Sequence, residues 1–504
     1  MKMIIKALFL LSLILNVAFS QTGNYPAAGL YVGISSTFLA NEGNALTEYA
    51  ENKIENTPFN DISGNSGGVS YNFHGFKVAI TLDGIFYNEL NEGVFQIGWD
   101  TVSFNLQWNY HICDHVCEDG TVTVFTQQGS TVSVATNLDV VFNTTSTTIT
   151  AVSSEMTFDQ GAVSLKVHCY NTICIIPVSK IANEVASQFV TQVQNGITNG
   201  INENTPTIEA LLNPIRQLPE QLPGGNSLWV NLEGQLVESS DTSTYTPTLT
   251  AAFNGGIILE NSDGNFIYPT QNPTFVPTAS QLESFTSDYC ISATGFFFES
   301  VLDAGFASVF PLTITPSEVP AASPVQLNTS DGFFSSVAPG LASYPNQPIQ
   351  VNLYSPVTPI VSMNSTGIAL LNFELSADFV VINDGNPFTA FSTQFLIDAE
   401  LGSKIYTLSS TQFSLNSTLI SMYPNATILS STIGSVDPSG FVQLMQMFQA
   451  VIKIPSFAYT VPSTYSLSNL NLSFNNQLMQ ITLDLIKQSN EKELKISKNI
   501  FHFN

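Results

Sequence analysis

Reactive side chains are scarce in this sequence, and several of them crowd into one stretch. His111-Ile-Cys113-Asp-His115-Val-Cys117 puts two imidazoles and two thiols within seven residues, and His168-Cys169 and Cys174 follow later. Cys and His at such short spacings are what a tetrahedral zinc site uses. In an oxidising compartment the same four cysteines supply two disulfides and leave Cys290 as a buried thiol. The alternation around His111 is that of a strand, and an N-terminal leader points to such a compartment. Cys113, Cys117, Cys169 and Cys174 are therefore expected in disulfides, paired locally or crossed. No metal and no cofactor is expected.

Hydrolytic chemistry has one string in its favour. Gly64-Asn-Ser66-Gly-Gly68 matches Gly-x-Ser-x-Gly, but a nucleophile elbow needs a strand before it and a helix after it. Polar turn residues precede this match and a strand-like run follows, so it reads as a loop. No His-Glu-x-x-His or phosphate loop occurs, and nothing positions a pair of carboxylates at glycosidase spacing. The chain is read as non-enzymatic.

Charge narrows the partners. The formal net charge is −26 with 10% charged residues. Between Ile54 and Ile486 the basic residues are Lys77, Lys166, Lys180, Arg216, Lys404 and Lys453. Nucleic acid needs a basic stripe to displace counterions, and none exists. Electrostatic capture by anionic lipid is disfavoured for the same reason. Lys2 and Lys6, the apolar run Ala7 to Leu15 and the small residues of Ala18-Phe19-Ser20 have the layout of a secretory signal peptide over 1–20. No later stretch reads as a membrane span. The product is expected to be secreted, or held in an endolysosomal lumen. Six sequons, at Asn143, Asn328, Asn364, Asn416, Asn425 and Asn471, are candidate glycosylation sites.

The elements that must position any site are mostly strands. Thr121 to Thr126, Thr131 to Ala135 and neighbouring segments alternate apolar and hydroxyl residues, the period of antiparallel meanders with one wet face. Helical stretches stand out against them. From Val178 to Asn204, Ile181, Val185, Phe189, Val193, Ile197 and Ile201 recur every four residues, one face of a helix about 40 Å long. A second helix starts at Ser35 or Ser36 and carries Phe38, Leu39, Leu46, Tyr49 and Ala50 toward Lys53. A third covers Ala293 to Phe310 with Phe296, Phe297, Phe298, Val301 and Leu302. A fourth follows Asp437-Pro438-Ser439, carries Phe441, Leu444, Met445, Phe448 and Ile452, and stops at Pro455.

Each half thus runs helix, strands, helix, strands. Residues 21–220 form one expected domain and 278–487 another. Between them, 221–277 is rich in Pro, Gly, Thr and Asn and holds strand-like pieces suited to a joining sheet. Residues 488–504 form a basic tail, with Lys487, Lys492, Lys495 and Lys498 clustered around it.

Four segments now carry a resemblance. Pro26-Ala-Ala-Gly29-Leu-Tyr-Val-Gly-Ile-Ser35, Ser227-Leu-Trp-Val-Asn-Leu-Glu-Gly-Gln-Leu-Val237, Cys290-Ile-Ser-Ala-Thr-Gly-Phe-Phe-Phe-Glu-Ser-Val-Leu-Asp-Ala-Gly305 and Pro462 to Leu483 occur in order. They resemble the opening strand, the central-sheet strand, the entry to the second domain and the closing strands of one family. It is the family of bactericidal/permeability-increasing protein, lipopolysaccharide-binding protein and cholesteryl ester transfer protein. The resemblance implies an α+β fold: an elongated boomerang of two antiparallel β-barrels, each wrapping one long and one shorter helix, joined by a central β-sheet. It also implies an apolar pocket per domain that takes phospholipid acyl chains. Pocket-facing candidates are Phe38, Leu39, Leu46 and Tyr49 on the first helix and Ile181, Val185, Phe189 and Val193 on the long one. Phe297, Val301, Leu444 and Phe448 are their counterparts in the second half. Lipid binding, with transfer as its extension, is the expected function. Binding of bacterial envelope lipid such as lipopolysaccharide, in an acidic compartment, is the second reading. Here the sequence departs from the family. The loops Asp61 to Gly68 and Asn88 to Gly93 are acidic or neutral where antibacterial members carry Lys and Arg. No Cys lies between Ile175 and Tyr289 to tie the long helix to a strand.

Overall fold

The computed structural model describes residues 26–488 except 67, 92–93, 115, 145, 160, 171–178, 213–216, 223–225, 239–247, 270, 283–284, 322, 358–359, 366, 449–455 and 476. The leader and nearly all of the basic tail therefore lie outside the described residues. The fold is mostly β with few helices; those of six residues or more among the described residues are α1 (Ser36–Asn56), α2 (Ser179–Leu212), α3 (Gly295–Val309), α4 (Gly332–Val337) and α5 (Pro438–Phe448). The chain divides into two compact units. The first holds residues 35–143 and 147–212, and the second holds the remainder.

In the first unit the strand Val94–Asp114 is the hub. It pairs along its whole length with Val69–Asn91. On its other edge it pairs with Val116–Thr126 over its second half and with Val132–Asn143 over its first. Val163–Cys169 and Ser146–Phe158 extend these two branches. Alternation dictates the faces: Val102, Phe104, Leu106, Trp108, Tyr110 and Ile112 are buried, and the residues between them face outward.

Among the described residues the sheet does not close on itself. It is a half-barrel rather than the expected barrel, and the two helices take the place of the missing strands. Ile62–Ser66 covers the outer edge of Val69–Asn91 only as far as Phe73. Beyond that point α1 supplies the acceptors. Glu55 Oε1 takes the Ile80 N–H at 3.0 Å and Glu51 Oε1 takes the Leu82 N–H at 2.7 Å. On the opposite edge α2 does the same. Glu209 Oε1 accepts the Ile149 N–H at 2.6 Å and Asn202 Oδ1 accepts the Ala151 N–H at 2.8 Å. Open edges invite pairing with other chains, and a helix laid along them with its carboxylates and amides inward removes that hazard. The helices pack closely because Gly196 faces α1, where an added Cβ would lie 3.0 Å from Ile54.

Helix boundaries follow local chemistry. Ser35 Oγ accepts the Phe38 N–H at 3.1 Å and fixes the start of α1. The sequence places the end of α2 before Pro206, yet the helix continues to Leu212. Proline removes the N–H that would bond the Asn202 carbonyl. The Thr205 hydroxyl donates to that carbonyl instead, at 3.0 Å, so the acceptor is satisfied and the helix runs on.

In the second unit a six-stranded sheet runs in the order Gly234–Glu238, Thr248–Phe253, Leu30–Ser35, Tyr289–Thr294, Leu478–Lys487, Tyr465–Asn475. The strand-like pieces expected at Leu228 to Val237 and Leu249 to Leu259 are each broken once. Asn226–Val230 and Ile257–Glu260 belong to a separate four-stranded sheet. The break is matched on both strands. The Asn231 N–H bonds the Gly256 carbonyl and the Gly255 N–H bonds the Asn231 carbonyl, with Gly255 in the left-handed region at φ +68°. A seven-stranded sheet built on the long hairpin Asn386–Ser409 and Gln412–Ser431 completes the unit. Its core is dense with phenylalanine: Phe334, Phe379, Phe391, Phe395 and Phe441. Phe379 stacks on Phe391 with centroids 4.4 Å apart. Helix α5 starts as expected, with Asp437 Oδ1 accepting the Ser439 N–H at 2.9 Å. Its described part ends at Phe448, and 449–455 lie outside the described residues.

Candidate functional site

Phe38, Phe189 and Val193 are each buried in the first unit but are not gathered at one place. Gly196 faces Ile54 and Gly200 faces Tyr49, so the helices run antiparallel, and Phe189 lies beyond the C-terminal end of α1 while Phe38 lies at its start. Leu46 and Tyr49 are half-buried on α1. Tyr49 donates its hydroxyl to Glu203 of α2, and Lys53 Nζ bridges to Glu203 Oε1 at 3.0 Å. That cluster clamps the helices at their exposed side. The side chains of Leu39, Ile181 and Val185, and of Leu444 and Phe448, lie outside the described ones. Phe297 is buried on α3, edge-on to Phe298, and Val301 is half-buried. The cavity beside that helix, between Pro269 and Phe296, holds only about 10 Å³.

Where α1 ends, the surface opens. A cleft of about 590 Å³ is lined by Thr57, Pro58, Phe59, Asn60, Asp61, Ile62, Ser63 and Gln192. A second, of about 360 Å³, lies on the other side of Thr57 and Pro58 against Tyr49, Asn52, Lys53 and Asn56. Both volumes fall within the roughly 300–1,000 Å³ range of ligand pockets. The larger cleft has a polar rim, but its aromatic side chain leads inward. Phe59 is half-exposed and stacks on buried Phe189 at 6.1 Å, and Phe189 lies 4.9 Å from Phe104. On the other side Phe59 stacks on Phe76 at 5.5 Å, and Phe76 on Trp108 at 5.9 Å. Two runs of rings thus descend from the cleft into the half-barrel.

One polar atom at the bottom stands out. Trp108 Nε1 is buried and has no hydrogen-bond partner among the described residues. An indole N–H left so in an apolar interior costs about 1–3 kcal/mol. Trp99, by contrast, gives its N–H to Thr47 Oγ1 on α1 at 2.7 Å.

Sequence periodicity selected Phe189 and Val193 because they repeat on a helix. It passed over Phe59, Phe76, Trp108 and Gln192. The available signal for Phe59 was a lone aromatic ring beside Asn60 and Asp61 in an otherwise polar loop. The Gly64–Gly68 string is placed on the short strand Ile62–Ser66 and the turn that follows it, with no helix behind it.

Cys113 and Cys117 form a local disulfide across a hairpin tip. Cys169 is also disulfide-bonded, with its partner outside the described residues, as Cys174 is. Cys290 is a buried free thiol. Asn143, Asn364, Asn416, Asn425 and Asn471 are exposed, whereas Asn328 is half-buried and its side chain accepts the Ser330 N–H at 2.8 Å. No helix among the described residues is long and apolar enough to cross a membrane.

Comparison with known proteins places the chain in a context. Residues 235–421 match the model of the LBP / BPI / CETP family, C-terminal domain. UPF0522 protein A of Dictyostelium discoideum is 60% identical over 100% of both chains. UPF0522 protein B of the same organism is 51% identical over 98% of this chain and 97% of its own length. Among solved structures, that of lipopolysaccharide binding protein aligns over 92% of this chain and 100% of its own at 15% identity and a TM-score of 0.43, too loose a likeness to argue from.

Proposed function

The chain belongs with the UPF0522 proteins of Dictyostelium and carries a match to the LBP / BPI / CETP family, C-terminal domain, over residues 235–421, and on that premise we propose that it binds lipid in its first unit, without catalysis. The observation that carries the reading is half-exposed Phe59, stacked on buried Phe189 beneath a polar-rimmed cleft. An amphipathic ligand matches that gradient. Its headgroup meets Thr57, Asn60, Ser63 and Gln192, and its chain follows the rings inward between helices and sheet. Burying an acyl chain of 16–18 carbons is worth roughly 12 kcal/mol gross, at ~0.8 kcal/mol per CH₂. Such a term needs no basic patch.

Phospholipid is the class we assign, and transfer between membranes is the activity that a reversible site of this kind supports. We place the protein outside the cytosol, as a disulfide-bonded glycoprotein modified at the exposed sequons. The envelope-lipid reading gains no support from charge. Among the described side chains the first unit carries only Lys53, Lys77 and Lys166, and Lys53 is engaged with Glu203.

The test is binding of a fluorescent acyl phospholipid to the purified chain. Phe59→Asp is expected to weaken binding at least tenfold while the far-ultraviolet spectrum stays unchanged, because it puts a charge at the entrance without emptying the core. Unchanged affinity in that variant would remove this site from consideration.

A further inference from the structure

On the outward face of the first unit's sheet, away from the aromatic interior, the hairpin joining Val94–Asp114 to Val116–Thr126 carries a square of four residues. Strand alternation puts His111 and Cys113 on one face, because Tyr110 and Ile112 are buried on the other. Antiparallel register sets Cys117 opposite Cys113 and Asp119 opposite His111. His111 Nδ1 lies 2.7 Å from Asp119 Oδ1, and His111 Nε2 lies 3.2 Å from Cys113 Sγ. The two sulfurs and the imidazole nitrogen all fall within 4.8 Å of one another, on exposed or half-exposed residues.

We propose that reduction of the Cys113–Cys117 bond turns this tip into a site for a thiolate-seeking cation of the zinc class. Its protein ligands are the two sulfurs and His111 Nε2, with solvent in the fourth position. Zinc–sulfur bonds of ~2.3 Å and zinc–nitrogen bonds of ~2.0 Å at tetrahedral angles set S···S near 3.8 Å and S···N near 3.5 Å. The nitrogen already stands close to that separation, and parting the sulfurs needs only side-chain rotation on a rigid ladder. The Asp119 carboxylate fixes the imidazole with Nδ1 protonated and Nε2 free, the arrangement that metal-binding histidines use.

The reductant is a low-molecular-weight thiol. Two of its molecules give up one electron and one proton each and leave as their own disulfide, while the protein sulfurs take both electrons and both protons as thiols. The cation then displaces the two thiol protons to solvent. The site is thus gated by redox state and does not depend on lipid binding.

The experiment titrates Co²⁺ into the full chain, oxidised and phosphine-reduced, in a Cys169→Ala, Cys174→Ala background that removes the other disulfide. One cobalt per reduced chain is expected, with a near-ultraviolet thiolate-to-cobalt band that Zn²⁺ abolishes and that the oxidised chain lacks. Cys113→Ser is expected to lose the band. His111→Gln is expected to weaken binding at least tenfold, and Asp119→Asn by about ten- to a hundredfold. Circular dichroism of the reduced chain is expected to retain its strand signal. No band on reduction, a band that survives Cys113→Ser, affinity untouched by His111→Gln, or collapse of the strand signal would each overturn the proposal.

Discussion

Cys290 lies in the six-stranded sheet with its sulfur 3.5 Å from Ser292 Oγ and 3.9 Å from Gln480 Nε2. Burial pushes the thiol up to about 12, against the pull of those two hydrogen bonds. Only the thiolate reacts, so the unreduced native chain is expected to give no titre with a disulfide reagent at neutral pH. The denatured chain is expected to give one equivalent. A native titre would contradict the burial. Asp288 makes the opposite kind of prediction. Burial raises its pKa, the Leu485 N–H lowers it again, and the Asp484 carboxylate adds to the rise. Its folded-state pKa lies above the unfolded one, so the folded chain holds this proton more tightly. The group's contribution to stability therefore falls as pH rises through that window and returns on acidification. Asp288→Asn is expected to flatten that part of the melting-temperature profile, and an unchanged slope would contradict it. Residue types were legible in the sequence at this scale: Cys113 and Cys117 were expected in disulfides and Cys290 as the thiol left over, but whether the bridges are local or crossed was not. Partners across the sheet, such as Asp119 for His111 or Asp484 for Asp288, were not, because register is fixed by turns and faces that a linear pattern does not encode.

At the scale of elements, helices serve as edges. Glu51 and Glu55 on α1, and Asn202 and Glu209 on α2, accept strand N–H groups in the first unit. In the second unit α3 repeats the device, with Glu299 Oε1 on the Val361 N–H at 2.9 Å and Ser300 Oγ on the Ile257 N–H at 3.0 Å. A hydrogen bond to a charged acceptor is worth about 1.5–3 kcal/mol. Glu51→Ala with Glu55→Ala is expected to lower stability by about 3 kcal/mol in denaturant titration and to promote self-association through the bared edge. A loss below about 0.5 kcal/mol would show that solvent serves the edge as well. The helices themselves were legible: the four-residue stripe from Phe189 to Ile201 is buried, and Ser35 caps α1. Their job as edges was not. Glu51 and Glu55 read as an ordinary solvated face until the strand beside them is known. The run of α2 through Pro206 was equally hidden, since it depends on one hydroxyl reaching one carbonyl.

For the whole molecule, composition and order of elements led to two β-rich domains with few helices, and the family was reached only through the resemblance of four segments, 26–35, 227–237, 290–305 and 462–483. Closure of the sheets was not legible. A half-barrel completed by helices and a closed barrel share the same strand periodicity, and only the edge bonds of Ile80, Leu82, Ile149 and Ala151 separate them. The distinction matters for function. A barrel closed by strands is held by a continuous ladder, whereas a helix-closed one has a seam that side chains alone fasten. Phe59 and its cleft lie at the end of α1 on that seam, so a ligand entering there, as proposed, would break no strand ladder.

The direct measurement is solvent extraction of the chain purified from its native source without detergent, with the lipid released counted by mass spectrometry. About one phospholipid per chain is predicted, reduced at least tenfold in Phe59→Asp prepared alongside. A folded chain that yields no lipid would contradict the account.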